Sequence, residues 1–389
     1  KMTASLEVSE VPFGALGGLF EQDDVEAADR VISAAAEPAG SFFPLPEEND
    51  FQQAFARHEE AKRAVAVNAC GTALDLCMMV LDIKPGDEVI TTPQTFICTA
   101  TCASARGAKV VFADIDEQTQ CLAPGEVEAK ITPATKAIIP VHFAGRAADI
   151  DAFDAITKKT GIPVVYDAAH AVGTRLDGQP VGGRGKASCY SFQSNKNMTT
   201  LGEGGAVTSD DEDFAEAVRQ RKTFGYVYGP KLRVVSTGFN YRMTKPQLAV
   251  GITQLAKIDR VNELKRNAMN WLNTLLNDID EIITPGAFDD GHAAHLYVAR
   301  IDSTKVGFCR DEFRKHLGDK YKVGTGMHYP VVWDWEAFDQ IDHDRSDCPV
   351  AQRVCGEVVS LPVFPNTTED ELAYITQAIK QTIVDLKEA

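Results

Sequence analysis

Between about residues 60 and 210, short apolar runs alternate with longer stretches whose apolar positions recur at helical spacing. The runs are AVAVNA (64–69), DEVITT (87–92), KVVFADI (109–115), KAIIPVHF (136–143), PVVYDAA (163–169), ASCYSF (187–192) and GAVTS (205–209). Most carry Val and Ile at successive positions, so both faces are apolar, as in strands covered on both sides. Helical segments lie between them: TALDLCMMVL, TATCASARG and DIDAFDAITKKTG. Strands alternating with helices predict an α/β fold, a mostly parallel sheet flanked by helices. GAVTS follows SFQSNK across a glycine turn, so a hairpin with one antiparallel strand is compatible with the pattern.

From Thr244 to Asn277 the pattern is one long helix. Short strands near 295–301 (HLYVARI), a helix in FCRDEFRKHLGD and a final amphipathic helix in TEDELAYITQAIKQTIVDLKE follow. This reads as a smaller C-terminal α+β domain. The boundary is expected on the long helix near Lys257, giving units 1–256 and 257–389. AEPAGSFFPLPEEND (36–50), rich in Pro and Gly, is expected as a loop.

Composition adds exclusions. A chain of 389 residues with 44% hydrophobic and 24% charged residues is neither disordered nor collagen-like. Lys plus Arg number 39 against 56 Asp plus Glu, a formal charge of −17, which disfavours sequence-independent nucleic-acid binding. The apolar runs are shorter than the roughly 18 residues of a membrane span. KMTASLEVSEVPF lacks the apolar stretch of a signal peptide. The nine cysteines include no CxxC pair, the closest being Cys98 and Cys102, so reduced thiols in a cytoplasmic protein are expected. His292 and His295 form an HxxH pair, but HExxH is absent and no metal site is expected.

Three stretches carry candidate chemistry. In NACGTALDLCMMVL a strand passes through Gly71 and Thr72 into a helix, where exposed N–H groups and the helix dipole favour a phosphate; a plain turn with Thr72 as the cap is the alternative. VVYDAAH ends a buried strand on Asp167, with His170 three residues on. A carboxylate there faces the crevice where α/β sheets bind ligands, or else caps a helix. SFQSNKNMTTLGEGG carries Lys196 after a strand end, ahead of Gly202, Gly204 and Gly205. A loop lysine is ordinarily a solvated charge, but one held in an apolar site can lose its proton and form a Schiff base. Neither GxxxxGK[ST] nor a first-strand GxGxxG occurs, which weakens NTPase and dinucleotide-dependent dehydrogenase readings. A phosphate turn, a carboxylate and a lysine on the strand ends of one sheet are the parts that pyridoxal 5'-phosphate needs.

These segments are similar to those of the DegT-type sugar aminotransferases, fold-type I enzymes dependent on pyridoxal phosphate. The resemblance runs through most of the chain: VPFG, AVNACGTALDL, PGDEVITTPQTFICTA, DIDEQT, PVHFAGRAADI, DAAHAVGT, SFQSNKNMTTLGEGG, GFNYRMTKPQLAVGITQL, GMHYP and SLPVFP occur in the family's order. It implies that Lys196 carries the cofactor as a Schiff base and that Asp167 pairs with the pyridine nitrogen. His170 would lie near the ring hydroxyl and Phe96 would stack on the ring. Gly71, Thr72 and Ser191 would hold the phosphate. Asn240 would reach the phosphate in a neighbouring subunit, making an obligate homodimer with shared sites. Arg242, His328 and Tyr329 would lie near substrate. The implied reaction moves an amino group from glutamate or glutamine to a keto-sugar. Cys70 departs from the family's frequent Ser before Gly-Thr, so a side-chain phosphate contact is expected to be lost. Members that act as dehydratases replace the lysine with histidine; Lys196 here favours transamination over elimination, and with Asp167 it argues against a non-catalytic sensor.

Overall fold

The computed structural model describes residues 8–345 and 347–388; the first seven residues of the N-terminal stretch lie outside them. Seven strands form the main sheet: β1 (Arg63–Val67), β2 (Glu88–Thr91), β3 (Lys109–Phe112), β4 (Thr135–Ile139), β5 (Val165–Asp167), β6 (Ala187–Ser191) and β7 (Gly205–Ser209). β3, β2 and β4 pair in parallel, and the parallel bridges Ile138–Val164 and Val141–Asp167 join β4 to β5. β5 pairs in parallel with β6, and β7 runs antiparallel between β6 and β1. The order is therefore β3-β2-β4-β5-β6-β7-β1, with His343–Asp344 added in parallel outside β3. The run after the glycine turn is the antiparallel strand.

Alternation along β6 assigns its two faces. Cys189 points to the helix Cys70–Val80, its Sγ 3.6 Å from that of Cys77. Tyr190 points the other way, into an edge-on aromatic contact with Phe55 at 5.0 Å. Phe55 and Phe51 come from the helix Glu47–His58, so the 36–50 stretch leaves the loop expectation at its end. The reason is local: Glu47, Glu48 and Asp50 suit a helix N-terminus. Phe51 and Phe55, one turn apart, pack on Phe192.

Gly205 sits opposite both Val67 and Ser191. A Cβ there would lie 2.7 Å from the carbonyl carbon of Ala69 and 2.7 Å from the carbonyl oxygen of Tyr190. Only glycine lets β1 and β6 run this close beside β7, which places the ends of those two strands next to one another.

A second, antiparallel sheet contains β8 (Ile282–Ile283), β9 (Tyr297–Ile301) and β10 (Val358–Leu361). Its core includes Phe313 and Leu317 of helix Arg310–Tyr321 and Ile375 and Ile379 of helix Glu369–Glu388. The long helix Lys245–Leu276 starts at a Thr244–Gln247 capping box with Pro246 in its first turn. Leu248, Leu255 and Ile258 join the large core, while Met269, Leu272 and Leu276 join the second. Val11 bridges Val323 and also belongs to the second core.

Candidate active site

The C-terminal ends of β1, β5 and β6 open on one cavity of about 420 Å³. Of the residues singled out in the sequence, Gly71, Phe96, Asp167, His170, Ser191, Lys196, His328 and Tyr329 line it. Residues from 69 to 329 thus meet because the parallel strands all end on the same side.

The helix Cys70–Val80 begins at the cavity, with Ala69 as its N-cap residue. Gly71 and Thr72 are therefore in the first turn, where backbone N–H groups lack intrahelical acceptors. Thr72 is not the cap: its hydroxyl donates to Asn68 Oδ1 (2.7 Å) or the Ala69 carbonyl (2.8 Å), and the side chain does not line the cavity. A Cβ on Gly71 would come to 3.6 Å from Cys98 Cβ, narrowing the space at the helix end. Ser191 is buried beside this turn at the end of β6. Cys70 turns away from the helix end. Its thiol faces the Cys189 carbonyl at 3.4 Å and Asp167 Oδ1 at 3.9 Å, on the carboxylate side of the cavity.

Asp167 is 3% exposed. Its Oδ2 accepts a 2.7 Å hydrogen bond from Thr99 Oγ1 and its Oδ1 a 3.0 Å bond from the Ala169 N–H. Burial pushes its carboxyl above the ordinary range, and the Thr99 and Ala169 bonds, the Lys196 charge and the Cys70 thiol oppose that push. Burial also pushes the Lys196 ammonium down, with Asp167 as the main counterweight. Each group thus supports the charged form of the other in an interior that favours neither.

Burial favours the neutral forms of the cysteines and histidines around them. Burial raises the Cys70 thiol and takes Cys98 up to about 12. It depresses His170 and His295, and takes His328 down to about 4. His170 Nδ1 accepts from the Ala144 N–H at 3.2 Å, so the ring proton is assigned to Nε2, 3.1 Å from the Tyr329 hydroxyl. Tyr329 accepts that proton and keeps its own for a cavity ligand. Phe96 stands 58% exposed and meets Tyr329 edge-on at 6.2 Å, leaving a ring face open for stacking.

Two of the singled-out residues lie elsewhere in this chain. Asn240 is exposed and bridges Thr223. Arg242 lies over the Phe224 ring at 5.4 Å. They belong to a segment that exposes Phe224, Tyr228, Leu232, Val234, Val235 and Phe239.

Several neighbours of the site had no separate sequence signal. Thr95 lines the cavity and shares a 2.7 Å hydroxyl contact with Thr99. Asn197, next to Lys196, accepts at Oδ1 from the buried Lys265 (2.8 Å) and from His295 Nδ1 (3.2 Å). His295 in turn lies 4.4 Å from the His170 ring. The HxxH pair is thus accounted for by packing: His292 accepts from the Ala294 N–H and stands against Phe288. Among the described residues, no group of three or more His, Cys, Asp or Glu side chains could hold a metal.

A helix N-terminus, a buried carboxylate, a lysine and an aromatic face around one crevice fit pyridoxal phosphate, and the fold is that of the fold-type I aminotransferases. The sequence profile of the DegT/DnrJ/EryC1/StrS aminotransferase family matches residues 23–380, and the chain belongs to that family of pyridoxal phosphate-dependent sugar aminotransferases. It is 37% identical over 350 residues to the spore coat polysaccharide biosynthesis protein SpsC of Bacillus subtilis (strain 168), covering 87% of this chain and 90% of that one. Among solved structures, it is similar to S. venezuelae DesV in complex with a ketimine intermediate, with a TM-score of 0.84, 31% identity and coverage of 92% and 93%. An aminotransferase from Psychrobacter cryohalolentis matches with a TM-score of 0.87, 28% identity and coverage of 96% of this chain and 100% of that one.

Proposed function

We propose that this enzyme transfers an amino group from glutamate or glutamine to a keto-sugar, with Lys196 as the residue that forms the Schiff base. The observation that carries the reading is the convergence of Lys196, Asp167 and the start of helix Cys70–Val80 on one cavity. The name of SpsC, a polysaccharide biosynthesis protein, supports a sugar acceptor. When bound, pyridoxal phosphate supplies an aldehyde that takes up amino groups and a ring that withdraws electrons from the carbon losing its proton.

The chain's own residues then have separate tasks. The N–H groups of Gly71 and Thr72 and the Ser191 hydroxyl bind the phosphate. Asp167 keeps a proton on the ring nitrogen. Phe96 would cover one ring face, and His170 and Tyr329 would orient the ring hydroxyl side. Lys196 Nζ moves the substrate's α-proton. An ordinary lysine, with a pKa of about 10.4, is a poor base at neutral pH; the depressed Lys196 supplies more neutral amine. His328, on the cavity wall, faces the sugar, whereas Arg242 lies outside the cavity of its own chain. The second core supports a small unit in 257–389 beside a large one in 1–256, but the division is not clean: Val332, Trp333, Phe338, Ala351 and Val354 pack into the large core, His343–Asp344 extends the main sheet, and Val11 crosses to the second core. The nine free cysteines fit a reducing compartment, and we place the enzyme in the cytoplasm. No helix among the described residues is long and apolar enough to cross a membrane.

A panel of nucleotide-linked and free keto-sugars, read against the glutamate and glutamine half-reactions, tests this reading. Amine transfer to at least one keto-sugar is expected; cofactor uptake without transfer to any of them would refute the acceptor class.

The homodimer forms part of the proposal. Asn240 lies outside the cavity of its own chain, on a segment with six exposed large apolar residues, the kind of surface that a second copy covers. In the dimer Asn240 would hold the phosphate of the opposite site, so Asn240→Asp would set like charges together and weaken cofactor binding. Mixing Lys196→Ala and Asn240→Asp chains then gives a hybrid with one doubly defective site and one intact site. Two nearly inactive proteins should regain activity up to about half that of wild type per hybrid. Confirmed subunit exchange without regained activity would place Asn240 in its own chain's site or in none.

A further inference from the structure

We propose that Thr99 is a positioning residue for Asp167: the end of a two-hydroxyl relay, Thr95 to Thr99 to Asp167, that fixes the carboxylate's orientation and keeps it ionised. The inference rests on the pyridoxal phosphate reading above and goes beyond it in assigning a role to residues that do not touch the reacting atoms.

The direction of the relay follows from proton counting. Thr99 Oγ1 lies 2.7 Å from Asp167 Oδ2 and 2.7 Å from Thr95 Oγ1. An ionised carboxylate only accepts, so the single Thr99 proton goes to Asp167. Thr99 must then accept the Thr95 proton. Thr95 and Thr99 are 2% and 0% exposed, so water does not compete for either bond. Thr95 also lines the cavity, and the relay therefore runs from the cavity wall to the carboxylate.

The relay occupies Oδ2 from the side of helix Cys98–Ser104, and the Ala169 N–H occupies Oδ1. Among the described residues, Thr99 is the only side-chain oxygen or nitrogen donor to Asp167; the other side-chain contact is the weak Cys70 thiol at 3.9 Å. The charged and titratable groups around Asp167 are Lys196, which favours its charge, and Cys70, Cys98, Cys102, Cys189 and Tyr329, all pushed towards their neutral forms by burial. Beside the Ala169 N–H, Thr99 therefore supplies the strong neutral side-chain dipole that favours the carboxylate over the carboxylic acid. A hydrogen bond to the charged form is the third way in which a pKa is set, beside burial and nearby charge.

The spacing has a simple origin. Thr95 and Thr99 are four residues apart, which places their side chains on one face of the turn entering the helix. Filling these buried positions with threonines rather than valines has no packing rationale, because Val has the same shape. Among the described residues the hydroxyls bond to each other and to Asp167, with the Cys98 thiol also beside Thr99.

The test compares Thr99→Val, which keeps the shape and removes the hydroxyl, with Thr99→Ser, which keeps the hydroxyl. In the cofactor-free protein, infrared titration follows the Asp167 carboxyl, identified by its loss in Asp167→Asn. Thr99→Val should raise its midpoint by about one pH unit, and Thr99→Ser should leave it near that of wild type. In the pyridoxal phosphate-loaded enzyme, Thr99→Val should slow the amino-donor half-reaction about tenfold with unchanged cofactor stoichiometry, and Thr99→Ser should restore it. If Thr99→Val does not fold, Thr99→Ala removes the same hydroxyl and is read in the same way. An unchanged carboxyl midpoint in the hydroxyl-free variant overturns the proposal. Failure of the cofactor reading would look different: wild type would not take up pyridoxal phosphate, while the carboxyl titration would remain readable.

Discussion

Lys196→Ala is expected to end turnover while leaving a folded protein that still takes up pyridoxal phosphate. In the proposed mechanism the lysine contributes both the amine that bonds to the cofactor and the base that moves the substrate proton. Loss of proton transfer alone is worth about 10²–10⁴-fold, and loss of the covalent anchor adds to it. The proposed phosphate site does not depend on the lysine, because its residues lie in the first turn of helix Cys70–Val80 and at Ser191. Removing Lys196 also deletes one of two positive charges buried in this region, the other being Lys265. The depressed Lys265 ammonium, at about 7 in the intact protein through burial and the Lys196 charge, should therefore rise in the variant. Borohydride reduction of the wild type followed by peptide mapping should label Lys196, and the same treatment of Lys196→Ala should fix no cofactor to the chain. Labelling of another lysine in wild type would refute the assignment.

The parts of this site that could be read from the sequence are those that sit on a strand end. Asp167 closes an apolar run and Lys196 follows one, so each is marked by the change from buried strand to polar loop. Gly71 marks the turn from β1 into its helix. What could not be read depends on partners far apart in the chain. His170 meets Tyr329 across 159 residues, and Asn197 meets Lys265 across 68. No local spacing encodes such contacts; the sheet order brings them together. The role of Cys70 also lay outside local reading, because at the first position of a helix a side chain can face the helix end or turn inward. The Cys189 carbonyl and Asp167 draw it inward here. The helix Glu47–His58 was partly hidden by the Pro-rich segment before it, although Phe51 and Phe55 one turn apart carry its signature. Thr95 and Thr99 read as two unremarkable threonines until the end of β5 is placed beside them. In the fold, by contrast, the pattern of two-sided apolar runs was sufficient for the main sheet, since strands buried on both faces leave little ambiguity.

Asp167→Asn should lower activity by about 10²–10³-fold, the usual cost of removing one preorganised electrostatic partner of a reacting group. The amide has the same shape but cannot hold a proton on the ring nitrogen by charge, so the ring loses its capacity to withdraw electrons. The same substitution should not harm the cofactor-free fold. Asp167 is buried with its carboxyl raised above the ordinary range, so the folded state binds that proton more tightly than the unfolded state does. With more protons bound in the folded form, stability falls as pH rises through the carboxylate range, opposite to the behaviour of a salt-bridged surface Asp. Ionised Asp167 thus costs stability at neutral pH, and the neutral amide is free of that cost. The amide has one acceptor oxygen where the carboxylate has two, so it can accept from Thr99 or from the Ala169 N–H but not from both, and the lost bond offsets part of that gain. Thermal melting of the cofactor-free proteins should show Asp167→Asn folded at pH 7 with a stability close to that of wild type, and wild type gaining on the variant as pH is lowered through the Asp167 midpoint. Near-normal turnover in Asp167→Asn would reduce the carboxylate to a turn-forming residue held by the Ala169 N–H. Loss of both activity and stability would show that the charge is there for the fold. Loss of activity alone, with stability kept or gained, is the pattern of a buried charge retained for chemistry at the expense of the fold.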